Sequence, residues 1–256
     1  METQAASTKN LIRGPGTPLT EWQASLSLAC VPLISHQALV PPGQRLVIVA
    51  PHPDDEVLGC AGALAGMCGR ENEVLMIAIT DGEASHPGSR EWSRSRLRHQ
   101  RPIESARALA ELGLDVSTLC WQRMRIADSQ VAAAEHRLTE HLQALLRPTD
   151  RVMTTWRFDG HCDHEAVGRA TARAAAESAA LLIEVPIWAW HWAHPQDPRI
   201  PWQRARKLLL DDELLERKRR AIAAHVSQVT AQGMASAVLP EETLERLLQP
   251  FELVFL

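Results

Sequence analysis

The sequence predicts an α/β protein whose mostly parallel sheet is covered by helices on both faces. Three observations carry this. Short apolar runs rich in β-branched residues, such as RLVIVA (45–50) and EVLMIAI (73–79), lack the in–out alternation of half-exposed strands. Strands buried on both faces read this way. Longer helical stretches separate one run from the next, the pattern of βαβ units. The 256 residues, 45% of them hydrophobic, suffice for one large core.

Residues 1–44 read as an N-terminal extension punctuated by Pro15, Pro18, Pro41 and Pro42. Thr20 and Gln23 fit a capping box before a short helix from Glu21 to Ala29 that carries Trp22, Leu26 and Leu28. Packing against the main domain is all that is expected of it. Residues 45–256 form that domain. Arg45–Ala50 is its first strand, followed by a small-residue helix at Val57–Gly69 and a second strand at Glu73–Ile79. A long helix, Glu91–Leu112, stops at Gly113. Val116–Cys120 is a third strand, and Gln130–Arg147 an amphipathic helix stopped by Pro148. Arg151–Thr155 is the fourth strand and Asp163–Ala179 an alanine-rich helix. Leu181–Trp190 is a fifth strand, with an edge exposed at Pro186. Lys207–Leu210 follows as a strand, then helices Asp212–Val226 and Glu241–Leu248, and a last strand, Phe251–Phe255. The acidic start and basic end of DDELLERKRR (211–220) suit a solvated helix and its dipole. Gly59, Gly62 and Gly66 lack the GxGxxG spacing of a nucleotide loop and fit close packing of helix on sheet.

A formal net charge of −4 argues against nucleic acid as partner, which needs a dense basic face. Five scattered cysteines with no CxxC pair read as reduced thiols. The opening METQAASTKNLIRGPG holds no signal-peptide core, and no apolar run reaches the ~18 residues of a membrane helix. A cytoplasmic protein is therefore expected.

Two segments concentrate chemistry. Pro51-His52-Pro53-Asp54-Asp55-Glu56 stands where the first strand ends, and Asp159-Gly160-His161-Cys162-Asp163-His164-Glu165 stands after the fourth. In open α/β sheets ligands bind at the carboxyl ends of strands, where strand order reverses. If the order is 3-2-1-4-5, strands one and four are neighbours there and the two loops converge. Imidazoles with carboxylates and no thiolate pair suit a catalytic zinc site with an open position. Two adjacent aspartates let one bind metal while the other acts as base.

HPDDE (52–56) followed by HCDH (161–164) resembles the PIG-L/LmbE-like family of zinc-dependent de-N-acetylases. The likeness extends over roughly residues 45–230 and includes TDGEAS (80–85), Arg101 with Glu104, and AHVSQ (224–228). It implies a Rossmann-like three-layer sandwich and one Zn²⁺ per chain held by His52, Asp55 and His164. It further implies Asp54 as general base, protonated His161 stabilising the tetrahedral intermediate, and Asp163 orienting His161. The substrate would be a small N-acetylated sugar or glycoconjugate, such as an N-acetylglucosaminyl compound, losing acetate. The chain departs from the family in having no tyrosine and in carrying Cys162, where many relatives have proline.

Plainer readings compete at each site. Capping by an aspartate explains one acid of the first cluster but not all of it. Glu56 suits helix-dipole compensation or a supporting hydrogen bond. Cys162 suits an inert thiol. Arg101 could contact a sugar hydroxyl or phosphate, or pair with Glu104 one helical turn on. Trp188, Trp190 and Trp192, with His191 and His194, could stack on a sugar from one strand face or simply cover the sheet. Trp188, His191 and His225 join Arg101 as candidate substrate contacts. The alternative function is a non-catalytic sugar- or metal-binding protein on the same fold. Iron or cobalt could take the place of zinc.

Overall fold

A computed structural model describes residues 12–231 and 236–256. In the described residues the chain runs through α1 (Leu19–Gln23), α2 (Leu26–Ala29), β1 (Leu33–Ile34), α3 (His36–Leu39), β2 (Leu46–Ala50), α4 (Asp55–Ala65), β3 (Val74–Ala78) and α5 (Arg94–Glu111). It continues through β4 (Cys120–Arg123), α6 (Val131–Leu145), β5 (Arg151–Thr155), α7 (Cys162–Glu177), β6 (Leu181–Val185) and α8 (Ala189–Trp192). β7 (Ala205–Leu209), α9 (Asp212–Ala223), α10 (Val226–Val229), α11 (Glu241–Leu247) and β8 (Phe251–Phe255) complete it.

One eight-stranded sheet has the order β1-β7-β8-β6-β5-β2-β3-β4. From β4 to β6 every pairing is parallel, and this stretch is the expected order 3-2-1-4-5. β8 then inserts antiparallel between β6 and β7, with β1 parallel to β7 at the edge. The buried strands sort by parity. Leu46 and Ile48 face a core shared with Leu64, Leu109 and Ile222 of α4, α5 and α9. Val47 and Val49 face the core under Leu138 and Val167 of α6 and α7. Period-two alternation thus feeds two helical layers from one sheet, giving the three-layer α/β sandwich. Gly59 lets α4 sit this close: a Cβ there would stand 2.7 Å from Val185 Cγ2.

Several elements differ from the sequence expectation. The short N-terminal helix is two helices, and no capping box forms, because Pro18 is the N-cap and Thr20 already lies inside α1. Ser25 instead caps the second helix, accepting from Leu28 N at 3.1 Å. Trp22 is buried and donates its indole N–H to Trp190 O. The third strand lies at 120–123, not 116–120. It is an edge strand paired on one side only, so its burial pattern is weak. The fifth strand ends at Val185 because Pro186 has no N–H and the next three amides donate to the Asp159 side chain instead of to a strand. Trp188, Trp190 and Trp192 therefore do not alternate along a strand; they surround the short α8. The expected helix 212–226 ends at Ala223, and α10 starts afresh. No helix among the described residues is long and apolar enough to cross a membrane.

Candidate active site

β2 and β5 lie side by side, in register from Leu46 with Arg151 to Val49 with Thr154. The segments after them therefore emerge together at the carboxyl edge of the sheet. The first turns sharply into α4 through Asp54, whose backbone sits at φ 142°, ψ −30°. A non-glycine residue held there stores on the order of 1–3 kcal/mol. Glu56 Oε2 accepts the Asp54 N–H at 2.9 Å and helps to fix this turn. The second segment enters α7 at Cys162.

The two segments meet. Asp55 Oδ2 stands 3.3 Å from both His52 Nδ1 and His164 Nε2. His52, His161 and His164 bring ring nitrogens within 4.8 Å of one another. All three line a cavity of about 220 Å³ with Asp54, Asp55 and Arg101. His164 is fully buried, and its Nε2 has no hydrogen-bond partner. Its one close polar neighbour is Asp55 Oδ2 at 3.3 Å, and a cation between that carboxylate and the ring's lone pair would satisfy both. The nitrogen and oxygen donors around it are those a divalent metal such as zinc selects.

Supporting carboxylates hold both rings. Asp159 Oδ2 meets His164 Nδ1 at 2.8 Å, which turns Nε2 inward. The same carboxylate accepts the amides of Ile187, Trp188 and Ala189, each at 2.9 Å, tying the end of β6 to the site. His52 Nε2 lies 3.2 Å from Asp163 Oδ2 and 3.5 Å from Asp128 Oδ1. The Asp163 carboxylate also accepts the amides of Ser129 and Val131, so it orients His52 and not His161. His161 is steadied by the Asp163 backbone N–H, which donates to its Nδ1 at 3.2 Å. The ring proton then sits on Nε2.

Electrostatics follow from burial and these neighbours. Burial alone would lower His164, but the Asp55 and Asp159 carboxylates outweigh it and raise the pKa to about 9. His52 rises for the same reason, through Asp128, Asp163 and Asp55. Asp55 would rise on burial, yet the imidazoles of His164 and His52 hold it well below the usual carboxylate range. Burial pushes Asp54 up to about 7 against the pull of Arg101. Burial, then the positive charge at His164 and His52, drives His161 down to about 3.

The remaining predicted residues divide. Arg101 is buried, reaches Asp54 Oδ2 at 2.9 Å and donates to Pro53 O and Gly82 O; it does not pair with Glu104. Gly82, at φ 64°, has no room for a side chain against that guanidinium. Trp188 lines the cavity. His191 and His225 do not. His191 accepts from Arg246 and meets Arg13 O behind α8, and His225 lies fully buried under α10. Two residues without an assigned role in the sequence reading stand out. Asp128 follows no motif and could not be singled out. Asp159 opens the second cluster, and its place five residues before His164, at the head of that cluster, was the available signal.

Comparison with known proteins agrees with this geometry. The model of the GlcNAc-PI de-N-acetylase family, PIG-L, matches residues 47–175, half of the chain. A 1D-myo-inositol 2-acetamido-2-deoxy-alpha-D-glucopyranoside deacetylase from Nocardia farcinica (strain IFM 10152) is 26% identical, covering 77% of this chain and 88% of that protein. The protein of the same name from Mycolicibacterium gilvum (strain PYR-GCK) is 30% identical over 57% of this chain and 58% of its own. Among solved structures, the zinc-inhibited form of teicoplanin deacetylase has the same fold, with TM-score 0.62 at 18% identity over 83% of this chain and 97% of that one. A conserved protein from Thermus thermophilus superposes with TM-score 0.52 at 26% identity over 73% of this chain and 80% of that one. The chain belongs to the GlcNAc-PI de-N-acetylase (PIG-L) family and is, with that family, a metal-dependent amide hydrolase.

Proposed function

We propose that the protein hydrolyses the acetamide of an N-acetylated sugar, an N-acetylglucosaminyl compound in particular, with zinc as its metal. One observation carries the reading. A carboxylate oxygen 3.3 Å from two imidazole nitrogens, one of them buried and bare, shares a cavity with a second carboxylate of raised pKa. The named activity of the two curated relatives, removal of acetyl from a 2-acetamido sugar, supports the substrate class.

His52, Asp55 and His164 would hold the ion, and three protein ligands leave a position for water or substrate. Once bound, the ion supplies Lewis acidity, lowering the pKa of water toward about 7 and polarising the acetyl carbonyl. Asp54 accepts the proton of the attacking water. With a pKa of about 7 it is about half ionised at neutral pH and basic enough for the transfer. Arg101 holds its Oδ2 and fixes the direction of the carboxylate. His161 donates a hydrogen bond from Nε2–H to the oxygen on which negative charge develops. The proton held by Asp54 passes to the departing nitrogen, so acetate and a free amino sugar leave. Asp128, Arg101 and Trp188 line the cavity where the ring would sit, offering an acceptor, a donor and an aromatic face.

The five cysteines are all unpaired, which supports a reducing, cytoplasmic setting. The test combines elemental analysis with acetate release from a panel of N-acetylglucosaminyl compounds. About one zinc per chain, with activity lost to a chelator and restored by metal, is expected. A metal-loaded protein inert toward every acetamido sugar overturns the proposal.

A further inference from the structure

The segment AHVSQ is anchored at every polar position but one. Ser227 donates its N–H and hydroxyl to Glu104 of α5 at 3.0 and 2.6 Å. Gln228 donates to Ser227 Oγ at 2.8 Å and lines the cavity. His225 is fully buried, and neither of its ring nitrogens has a hydrogen-bond partner. Its Nε2 lies 3.9 Å from Glu56 Oε1, which is buried too. Ser105 of α5 stands beside the Glu56 carboxylate, but no hydrogen bond of good geometry reaches Oε1. Arg101 Nε is a further bare atom, on a guanidinium close enough for its charge to act on His225. Among the described residues ten buried side-chain polar atoms lack a partner. Four of them lie on His225, Glu56 and Arg101; Glu56 and Arg101 each bond Asp54, and His225 faces Glu56.

Such a concentration calls for a physical account, since natively buried polar groups are nearly always paired. At 3.9 Å the two groups are too far for a direct bond and suited to one bridging water. Burial, then the Arg101 charge, keeps the imidazole neutral, with one donor and one acceptor. Glu56 Oε1 adds an acceptor, so a water between the two would have a partner on each side. Glu56 and Arg101 fix Asp54. Glu56 Oε2 accepts its N–H at 2.9 Å, and Arg101 Nη2 donates to its Oδ2 at 2.9 Å.

We infer that His225 is a positioning residue: through one buried water it fixes Glu56, which with Arg101 holds Asp54 in its strained turn. This rests on Asp54 being the base. His225 does not line the cavity and makes no hydrogen bond to the residues proposed to hold the metal, so its effect belongs to kcat and not to substrate or metal affinity.

The experiment compares wild type, His225→Leu and His225→Gln, with Asp54→Asn in parallel. Leucine removes both ring nitrogens and leaves Glu56 Oε1 with one partner fewer, so a small loss of thermal stability is expected. Its kcat should fall roughly 10–100-fold, with KM within about twofold and metal content unchanged. Glutamine, which can bond the water, should recover most of the loss. A leucine variant with wild-type kcat, or one whose loss tracks falling metal or unfolding, overturns the inference. A crystal structure of the wild-type protein decides even if the leucine variant does not fold. A water within hydrogen-bond distance of Glu56 Oε1 and a His225 nitrogen is expected; a dry gap there overturns it. If Asp54→Asn is fully active, the functional reading itself fails, whatever His225 does.

Discussion

Two clusters of buried charge lie against helix α4, one supplied by α9 and β8 and one at the helix's own start, and they are built on opposite terms. Lys218 Nζ meets Glu252 Oε1 at 2.8 Å, and Gly62 N donates to Glu252 Oε2 at 2.9 Å, with both side chains almost fully buried. Each charged atom of that pair has found a partner. At the start of the same helix, Asp55, His52 and His164 crowd together, yet His164 Nε2 is bare. A satisfied buried network is a structural element. The cluster with the open, inward-turned nitrogen is the one we propose holds the metal.

This contrast can be broken experimentally. The largest effect should come from His164→Ala: the purified, folded protein should carry no metal above background and no activity. Normal metal content by elemental analysis would remove His164 from the metal site. Asp54→Asn, by contrast, should keep its metal while losing roughly 10²–10⁴ in rate. Full activity there ends its role as base. In the other cluster, Lys218→Met leaves Glu252 buried without its counter-charge and should cost about 3–5 kcal/mol in denaturant melts. Metal per folded molecule should not change; a loss of metal without a loss of stability would erase the distinction between the clusters. Asp159→Asn should weaken metal binding by about 10–100-fold, because the ring it orients stays in place less well.

The smallest effect concerns pH. His225 has a folded pKa near 3 against 6.5 for the free side chain, through burial first and Arg101 second. The unfolded chain therefore binds the extra proton at higher pH than the native one. The associated stability is present above pH 6.5 and is lost as pH falls from there toward 3. In His225→Leu the acid-unfolding midpoint should move to lower pH; an unchanged midpoint would show that this histidine does not couple to acid unfolding.

Much of the site is legible along the chain because its residues are local. His52, Asp54 and Asp55 fall within four residues, and His161 and His164 within four more. Both groups sit at strand ends that parity and periodicity mark out. The residues that steady them are less legible. Asp128 acts from a loop 24 residues past Glu104 of α5 and reaches His52 only because β3, β4 and β2 are neighbours in the sheet. The family resemblance gives Asp163 to His161, close by in sequence, but its side chain points to His52, 111 residues away. Likewise the spacing of Arg101 suits Glu104 on its own helix, and the fold gives it Asp54.

The sequence by itself determined the alternation of buried strands and helices and the clustering of imidazoles and carboxylates at two strand ends. These follow from side-chain periodicity and short-range spacing, which are properties of the chain before it folds. Tertiary structure alone decided that β8 runs antiparallel between β6 and β7, and that β6 stops before Pro186. It also decided which carboxylate faces which ring. Those outcomes depend on contacts between segments far apart in sequence, where burial removes water and each polar group must take the partner the packing brings to it.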